Sequence, residues 1–173
     1  PLDGTVNFLY RIPTWCISIA VEDAEGALVG VIHDPNRKET FAAARREGAR
    51  LNGSPIRVSA QEDLSRALIG TGFSYESDAR EVQAELATRV LPRARDIRRG
   101  GSAAIDLASL ACGRLDGFYE APMERWDKAA GVLIASEAGA TMTELPPPKP
   151  GLSPGVIGAN PVLHRALSEL LLA

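Results

Sequence analysis

The pattern of apolar residues and turn signals changes near Ala67, and this change constrains the fold more than any other feature. Before it, runs rich in β-branched residues, such as 15–21 (WCISIAV) and 27–34 (ALVGVIHD), are separated by polar turns. After it, short apolar strands alternate with segments of helical periodicity. The sequence therefore predicts an antiparallel-sheet half over residues 1–66 and an α/β half over residues 67–173, which together form one catalytic unit.

The individual elements follow from the same signals. The turn at Asn52-Gly53 is typical of a hairpin, so further strands are predicted at 40–45, 49–51 and 55–58. In the second half, strands are predicted at 67–72, 96–98 and 116–119, and helices at 78–91, 102–112, 126–138 and 160–172. Ser102 is the expected N-cap of the second of these helices. The proline-rich stretch between 146 and 154 predicts a stiff surface loop.

The composition excludes several classes of site and partner. The 19 Lys and Arg residues against 22 Asp and Glu residues give a net charge of -3, so no overall positive charge attracts nucleic acid or an anionic membrane surface. Two cysteines and two histidines are too few for a disulfide framework, a four-thiolate zinc site or a three-histidine metal site. No apolar run approaches the ~20 residues of a membrane span, and no signal peptide opens the chain. We therefore expect a cytoplasmic protein with reduced thiols.

Two short motifs could hold an anion. The first, LDGT at residues 2–5, puts the carboxylate of Asp3 on a sharp turn, although an ordinary Asp-Gly turn has the same sequence. The second, RRGGSAA at residues 98–104, puts two glycines before a helix whose first N–H groups could bind phosphate; a plain strand-to-helix turn is the alternative. Arg98 and Arg99 could equally be solvated, structural or in contact with a ligand.

A third motif joins Glu120, at the end of a strand, to Asp127, in the first turn of a helix. Asp127 could face a ligand or could simply complement its own helix, and Trp126 is expected to pack. Asp3 and Asp127 are each expected to begin a helix, near a third helix that begins at Ser102. Oxygen ligands without His or Cys partners suit Mg²⁺, which with few protein ligands favours phosphate oxygens. The motifs therefore predict one site for Mg²⁺ and phosphate.

These motifs resemble those of a known family. PLDGT at residues 1–5 is similar to the first signature of the inositol monophosphatase family, and WDKAAG at 126–131, followed by EAG at 137–139, is similar to the second. The stretch at 99–120 also fits, and resembles bacterial members most. The resemblance therefore spans essentially the whole chain in the right order.

The resemblance implies a fold and an activity. The implied fold, of the α+β or α/β class, is a layered αβαβα sandwich of the inositol monophosphatase/fructose-bisphosphatase type, with its N-terminal helices missing from this chain. The implied reaction is Mg²⁺-dependent hydrolysis of a small sugar or polyol phosphate, inositol 1-phosphate before others, by direct attack of metal-activated water. Two or three Mg²⁺ ions and a homodimer are implied as well.

The resemblance also implies roles for individual residues. The carbonyl of Leu2 and the carboxylates of Asp3 and Asp127 are implied to hold metal, and Asp3, Thr5 and Asp127 to be catalytic. The N–H groups of Gly4 and Thr5 would bind phosphate, and Glu120 would hydrogen bond a hydroxyl of the substrate. The full set of implied substrate- or phosphate-binding residues is Leu2, Asp3, Gly4, Thr5, Gly101, Ser102, Ala103, Glu120 and Asp127.

The chain departs from the family pattern at its beginning. The family's first signature starts with an Asp before the Pro, and an upstream Glu-Glu supplies a further ligand; neither precedes Pro1, so we expect an N-terminal portion to be missing. The alternatives that stay open are a phosphatase for histidinol phosphate, fructose bisphosphate or nucleotide bisphosphates, and a non-catalytic anion-binding or assembly protein. A Ser-His-Asp hydrolase is disfavoured because neither His33 nor His164 lies near a nucleophile motif.

Overall fold

The first of two β-sheets is an antiparallel meander with its strands in chain order. The computed structural model describes residues 2–173, so Pro1 of the first predicted signature lies outside the described residues. The strands are β1 (Leu2–Asp3), β2 (Cys16–Asp23), β3 (Gly26–Asp34), β4 (Glu39–Ala44), β5 (Ala49–Leu51) and β6 (Ser54–Pro55). Asn52 and Gly53 both have positive φ, as the predicted hairpin turn between β5 and β6 requires.

The second sheet is mixed, in the strand order β10-β11-β9-β7-β8. Its strands are β7 (Leu68–Thr71), β8 (Asp96–Arg98), β9 (Gly117–Glu120), β10 (Thr141–Leu145) and β11 (Gly155–Ala159). β7 runs parallel to both β8 and β9, and the connections between these strands contain helices, as parallel pairing requires. β11 pairs antiparallel with β9 and β10.

The helices form two layers on the sheets. Their bounds are α1 (Thr5–Leu9), α2 (Ser77–Val90), α3 (Ala103–Ala111), α4 (Arg125–Glu137) and α5 (Pro161–Leu171). α3 and α4 pack against each other and contact both sheets, whereas α2 and α5 pack together over the far face of the second sheet. The order of layers is therefore sheet, helices, sheet, helices, which agrees with the predicted layered sandwich. None of the helices between residues 2 and 173 combines the length and hydropathy needed to cross a membrane.

Glycines bring α4 close to its neighbours in the first helical layer. A Cβ on Gly30 of β3 would lie 3.0 Å from the Ala130 Cα of α4, and a Cβ on Gly131 would lie 2.7 Å from the Leu107 Cβ of α3. Any larger side chain at these two positions would push the helix away from the sheet or from α3. This close packing holds α3 and α4 near each other.

Several predicted elements differ from the observed ones. β1, β10 and β11 were missing from the sequence prediction, and the predicted proline-rich loop connects β10 to β11. The strand predicted at 55–58 ends at Pro55, because the chain leaves the sheet and the Val58 N–H donates to the Ala138 carbonyl after α4. Asp3 was expected to begin a helix but lies in β1, with Gly4 as the N-cap of α1.

The two faces of the first sheet differ in their surroundings. Ile32 of β3 points toward α3 and α4 and is 0% exposed, whereas Ile19 of β2 is on the opposite face and is 55% exposed. Ile17 and Val21 alternate with inward-facing residues of β2 in the same way and are also exposed. One face of this sheet therefore builds the core, and the other presents apolar side chains to solvent.

We expect substitutions on these two faces to differ sharply in their effect on stability. Ile32→Ala removes buried methyl groups and should lower the free energy of unfolding by about 2–5 kcal/mol. Ile19→Ala should lower it by less than about 1 kcal/mol, because the side chain is already in water. Urea denaturation of both variants measures the difference, and equal losses would show that the outer face is covered in solution.

Candidate functional site

A cleft of about 470 Å³ lies where the two sheets and the helices α3 and α4 meet. All nine residues that the sequence predicted for the site line it: Leu2, Asp3, Gly4, Thr5, Gly101, Ser102, Ala103, Glu120 and Asp127. They come from the start of the chain, the entrance to α3, the end of β9 and the first turn of α4. The fold thus brings the three predicted motifs into one site, while their individual roles stay predictions.

Asp3 is bonded directly to the beginning of α3. The Ser102 hydroxyl and the Ala104 N–H both donate to Asp3 Oδ2, the N–H over 3.0 Å. Ser102 Oγ also accepts from the Ile105 N–H at 3.3 Å, which confirms its predicted role as the N-cap. Asp3 is therefore held at the positive end of a helix, where a carboxylate is stabilised.

Gly4 allows the first motif to approach this helix. Its φ of 82° is in the left-handed region, and a Cβ there would lie 2.9 Å from the Thr14 carbonyl oxygen and 3.2 Å from the Ser102 Cβ. Both the conformation and the lack of space require glycine. Beside them, Cys16 is fully buried with its Sγ 3.6 Å from Ser102 Oγ, and burial raises the pKa of its thiol to about 12. The thiol is therefore neutral and unreactive at neutral pH.

Glu120 is enclosed at the inner end of the cleft. A Cβ on Gly72 would lie 2.1 Å from the Glu120 carboxyl carbon, so glycine is needed for this carboxyl group to fit. Burial, together with the nearby charges of Asp106, Asp3 and Asp127, raises the pKa of Glu120 to about 8, against a lowering effect of Arg99. Glu120 is therefore largely protonated at neutral pH unless a cation is bound.

The carboxyl groups of Asp106 and Asp127 also have raised pKa values. Burial, together with the nearby charge of Asp3, raises the pKa of Asp106 to about 7, against lowering effects of the Gly100 backbone and of Arg99. Burial also raises the pKa of Asp127, although its Oδ2 accepts the Glu124 N–H at 3.1 Å. Asp127 thus both complements its own helix and faces the cleft. The two alternatives that the sequence left open, a residue that faces a ligand and a residue that complements its own helix, are therefore compatible.

These carboxyl groups make the cleft suitable for a hard divalent cation. Their charges oppose one another, as the pKa shifts of Glu120 and Asp127 show, and a bound cation would relieve that repulsion. Among residues 2–173, no group of three or more His, Cys, Asp or Glu side chains is arranged so that it could hold a metal ion by itself. Few protein ligands are typical of Mg²⁺, which keeps several waters or uses substrate oxygens. The residues present therefore fit a cation that is completed by its substrate.

The entrance to α3 also offers a hydrogen-bond donor to an anion. Within α3, the Ala104 and Ile105 N–H groups are paired with Asp3 and Ser102, and the Asp106 N–H donates to the Ser102 carbonyl. The Ala103 N–H has no hydrogen-bond partner among residues 2–173, and Ala103 lines the cleft. A phosphoryl oxygen at this helix end would satisfy it.

Nine further residues of the cleft were absent from the predicted site, and four of them have side chains suited to contact a ligand. Trp126 was expected to pack, but it is 72% exposed and lines the cleft, and Tyr75 is 78% exposed there. Tyr75 follows the carboxyl end of β7, where α/β sheets commonly bind ligands, and that rule could have identified it. Arg99 and Asp106 also line the cleft. Asp106 stands in an apolar helix segment, and an acidic residue there is a signal that could have been used.

Comparison with known proteins gives consistent results. The profile described as inositol monophosphatase family matches residues 1–173. The inositol-1-monophosphatase SuhB of Mycobacterium tuberculosis (strain ATCC 25618 / H37Rv) is 43% identical over 165 residues, 93% of this chain and 57% of that protein. The Nus factor SuhB of Xylella fastidiosa (strain Temecula1 / ATCC 700964) is 46% identical over 140 residues, 80% of this chain and 51% of that protein. The chain thus spans little more than half the length of these relatives.

A solved structure has the same architecture. The inositol monophosphatase from Anabaena (Nostoc) sp. PCC 7120 aligns with 99% of this chain and 69% of its own, with a TM-score of 0.89 and 39% identity. Similarity at this level confirms the layered fold that the sequence predicted.

The enclosed carboxyl of Glu120 should make stability depend on pH. Since its folded pKa is raised, the folded state binds more protons between about pH 4.5 and 8, and stability falls as pH rises through that range. In metal-free buffer, the unmodified chain should lose more than about 1 kcal/mol of unfolding free energy between pH 5 and 8. Urea denaturation at both pH values measures this loss.

Glu120→Gln should reduce this loss, because an amide does not ionise. Glu85→Gln, on the exposed side of α2, is the matched control and should leave the pH dependence as it is. If the stability of Glu120→Gln depends on pH as strongly as that of the unmodified chain, Glu120 is not the source of the pH dependence.

Proposed function

Because this chain belongs to the inositol monophosphatase family, we propose that the protein is a Mg²⁺-dependent phosphomonoesterase that hydrolyses a small polyol phosphate. The observation that carries this proposal is the meeting of the three motifs in one acidic cleft beside the N-terminus of α3. A volume of about 470 Å³ is in the range of small-molecule sites. Inositol 1-phosphate is the first candidate substrate, and histidinol phosphate and sugar or nucleotide bisphosphates are the alternatives.

The proposed metal ligands are the carboxylates of Asp3 and Asp127 and the carbonyl of Leu2. All three residues line the cleft, and the charge of Asp3 contributes to the raised pKa of Asp127. When bound, Mg²⁺ would supply charge neutralisation for the phosphoryl group and a lower pKa for the attacking water. The oxygen-only set of donors favours Mg²⁺ over zinc.

The groups of the chain itself would position the substrate. The Ala103 N–H, together with the N–H groups of Gly4 and Thr5, would bind phosphoryl oxygens, and the dipole of α3 would stabilise their negative charge. The Thr5 hydroxyl would hold the water or a phosphoryl oxygen. Asp127 would help deliver a proton to the departing alcohol. Such positioning supplies much of the catalysis of phosphoryl transfer.

Glu120 is proposed to recognise the alcohol part of the substrate. Its enclosed carboxyl group has a pKa raised to about 8, so near neutral pH it can donate a hydrogen bond to a hydroxyl or accept one. A polyol presents several hydroxyls that act as both donors and acceptors. The ability of this carboxyl group to donate or accept a hydrogen bond therefore supports a polyol phosphate as the substrate.

The proposed protein is a cytoplasmic homodimer.

A second candidate function is assembly with a partner without turnover. The relative from Xylella fastidiosa is 46% identical over the matched region and is named Nus factor SuhB. A protein as similar to this chain as the inositol-1-monophosphatases therefore carries a name that refers to a different role. A protein of that kind would bind phosphate in the cleft and release none from an ester. Assay of phosphate release from inositol 1-phosphate and from histidinol phosphate therefore separates the two candidates.

In the intact protein, Asp127→Asn should lower phosphate release by about 10²-fold or more, because an amide holds Mg²⁺ poorly and carries no charge. The fold should be kept, since the amide oxygen can still accept the Glu124 N–H. Asp96→Asn, which breaks an exposed ion pair with Arg98 outside the cleft, is the control and should keep full turnover. Near-normal turnover of Asp127→Asn would remove this residue from the mechanism.

Mg²⁺ alone should stabilise the chain against unfolding. At 100 times its dissociation constant, a ligand that binds only the folded state adds about 2.7 kcal/mol. Thermal unfolding with and without Mg²⁺ measures the effect, which should be smaller in Asp127→Asn and unchanged in Asp96→Asn. If Mg²⁺ leaves the unfolding temperature of the unmodified chain unchanged, the proposed cofactor is wrong.

A further inference from the structure

One wall of the cleft is a segment of chain that lies in no helix or sheet. Residues 72–75 follow the carboxyl end of β7 and precede α2, and all four line the cleft. We call them the wall segment. Because no helix or sheet pairs the backbone of this segment, other parts of the chain must supply the hydrogen bonds that keep it in one conformation.

Gln83 of α2 supplies several of these bonds. Its Oε1 accepts the Ser74 N–H at 2.9 Å, and its Nε2 donates to the Ala121 carbonyl at 2.6 Å and to the Gly72 carbonyl at 3.4 Å. The side chain is only 4% exposed, so water competes little for these bonds. The opposite orientation of the amide would place its oxygen against two carbonyl oxygens, so the partners fix the orientation. One buried amide thus joins the wall segment to the residue that follows β9.

The bonds of Gln83 enclose the carboxyl group of Glu120 from two sides. Gly72 lies against this carboxyl group, since a Cβ on Gly72 would be 2.1 Å from its carbon. Ala121, whose carbonyl accepts from Gln83, is the next residue in the chain after Glu120. Gln83 therefore fixes the position of the wall segment relative to Glu120.

Arg80, three residues earlier in α2, holds the end of the wall segment that is nearer to α2. Its guanidinium group donates to the carbonyls of Ser74 and Tyr75 at 3.0 and 2.8 Å. Together with Gln83 it pairs backbone groups of Gly72, Ser74 and Tyr75. The Tyr75 side chain, which is 78% exposed, is thereby carried on a backbone that is held in place at the cleft.

We propose that Gln83 and Arg80 are positioning residues that hold the wall segment beside Glu120 and thereby set the affinity for the alcohol part of the substrate. This inference rests on the proposed function, in which Glu120 binds a hydroxyl of that alcohol. Neither Gln83 nor Arg80 lines the cleft, so both act through the segment that they hold. Small displacements of binding groups weaken binding strongly.

The first test compares two buried amides that are replaced by apolar side chains of similar size. Gln83→Met and Asn160→Leu each remove the hydrogen bonds of one amide without adding charge. Asn160 is 7% exposed and lies outside the cleft, and its Nδ2 donates to the carbonyls of Ser59 and Gln61. Its Oδ1 also caps α5, so Asn160→Leu should destabilise the protein at least as much as Gln83→Met.

The readout is enzymatic, in the intact protein with Mg²⁺. It consists of KM for inositol 1-phosphate or histidinol phosphate, whichever is hydrolysed faster, and of the inhibition constant of inorganic phosphate. Gln83→Met should raise KM about tenfold but change the inhibition constant less than about twofold, because inorganic phosphate has no alcohol part. Asn160→Leu should leave both within about twofold. An unchanged KM in Gln83→Met, or an equal rise of both constants, would overturn the proposal.

A second pair of variants lies on the surface and serves if Gln83→Met fails to fold. Arg80 and Arg89 are both exposed residues of α2, and Arg89 donates to the Ala173 carbonyl at 2.9 Å, outside the cleft. Arg80→Met should raise KM about threefold, because the wall segment loses two of its hydrogen bonds. Arg89→Met should leave KM unchanged. Equal KM values in these two variants would exclude a positioning role for Arg80.

Hydrogen exchange separates failure of this inference from failure of the proposed function. The Ser74 N–H should exchange faster in Gln83→Met than in the unmodified protein, whatever the substrate is, because its acceptor is gone. If the intact protein hydrolyses neither phosphate ester, the proposed function is wrong, and so is the role of Gln83 in it. If an ester is hydrolysed but KM and the exchange of Ser74 are the same in Gln83→Met, the positioning role alone is wrong.

Discussion

The bonds between Asp3 and the N-terminus of α3 are the interaction on which the site depends. They join a carboxylate at the beginning of the chain to Ser102 and Ala104, and so connect the first sheet to the helical layer that separates the sheets. A carboxylate at this position is stabilised by the helix dipole and by the N–H it accepts. In the proposed function the same carboxylate also binds a cation, so one residue would serve both the architecture and the chemistry.

The cleft brings together carboxyl groups whose proximity is unfavourable in the absence of a ligand. Burial and mutual repulsion raise the pKa values of Asp106, Glu120 and Asp127, and the charge of Arg99 offsets this only in part at Asp106 and Glu120. A fold tolerates such a group of carboxyls when the surrounding structure keeps them in place, and functional sites are where this is usually seen. These raised pKa values support the proposal that a cation binds in the cleft together with a phosphate group.

Glycines make this concentration possible at three points of the site. Gly72 leaves space for the carboxyl of Glu120, Gly4 lets the first motif approach Ser102, and Gly100 admits the carboxylate of Asp106 beside its backbone. Each leaves space that is occupied by another part of the chain and that a side chain would fill. The shape of the site therefore depends on these glycines. Substitution of any of them would displace a site residue that is distant in sequence, such as Glu120 or Ser102.

The sequence by itself determined the local elements and the chemical character of the site. Periodicity and caps identified α2 to α5 and most strands, and the family resemblance of the three motifs implied the nine residues that line one cleft. β11 was missed because all five of its residues are buried, so the alternation that marks a strand is lacking. The contacts of Gln83 with the wall segment and with Ala121, and the exposure of Trp126, were decided only by the tertiary structure. They depend on how α2 and α4 are placed against the second sheet, and that placement results from packing between residues far apart in the chain, which no local pattern encodes.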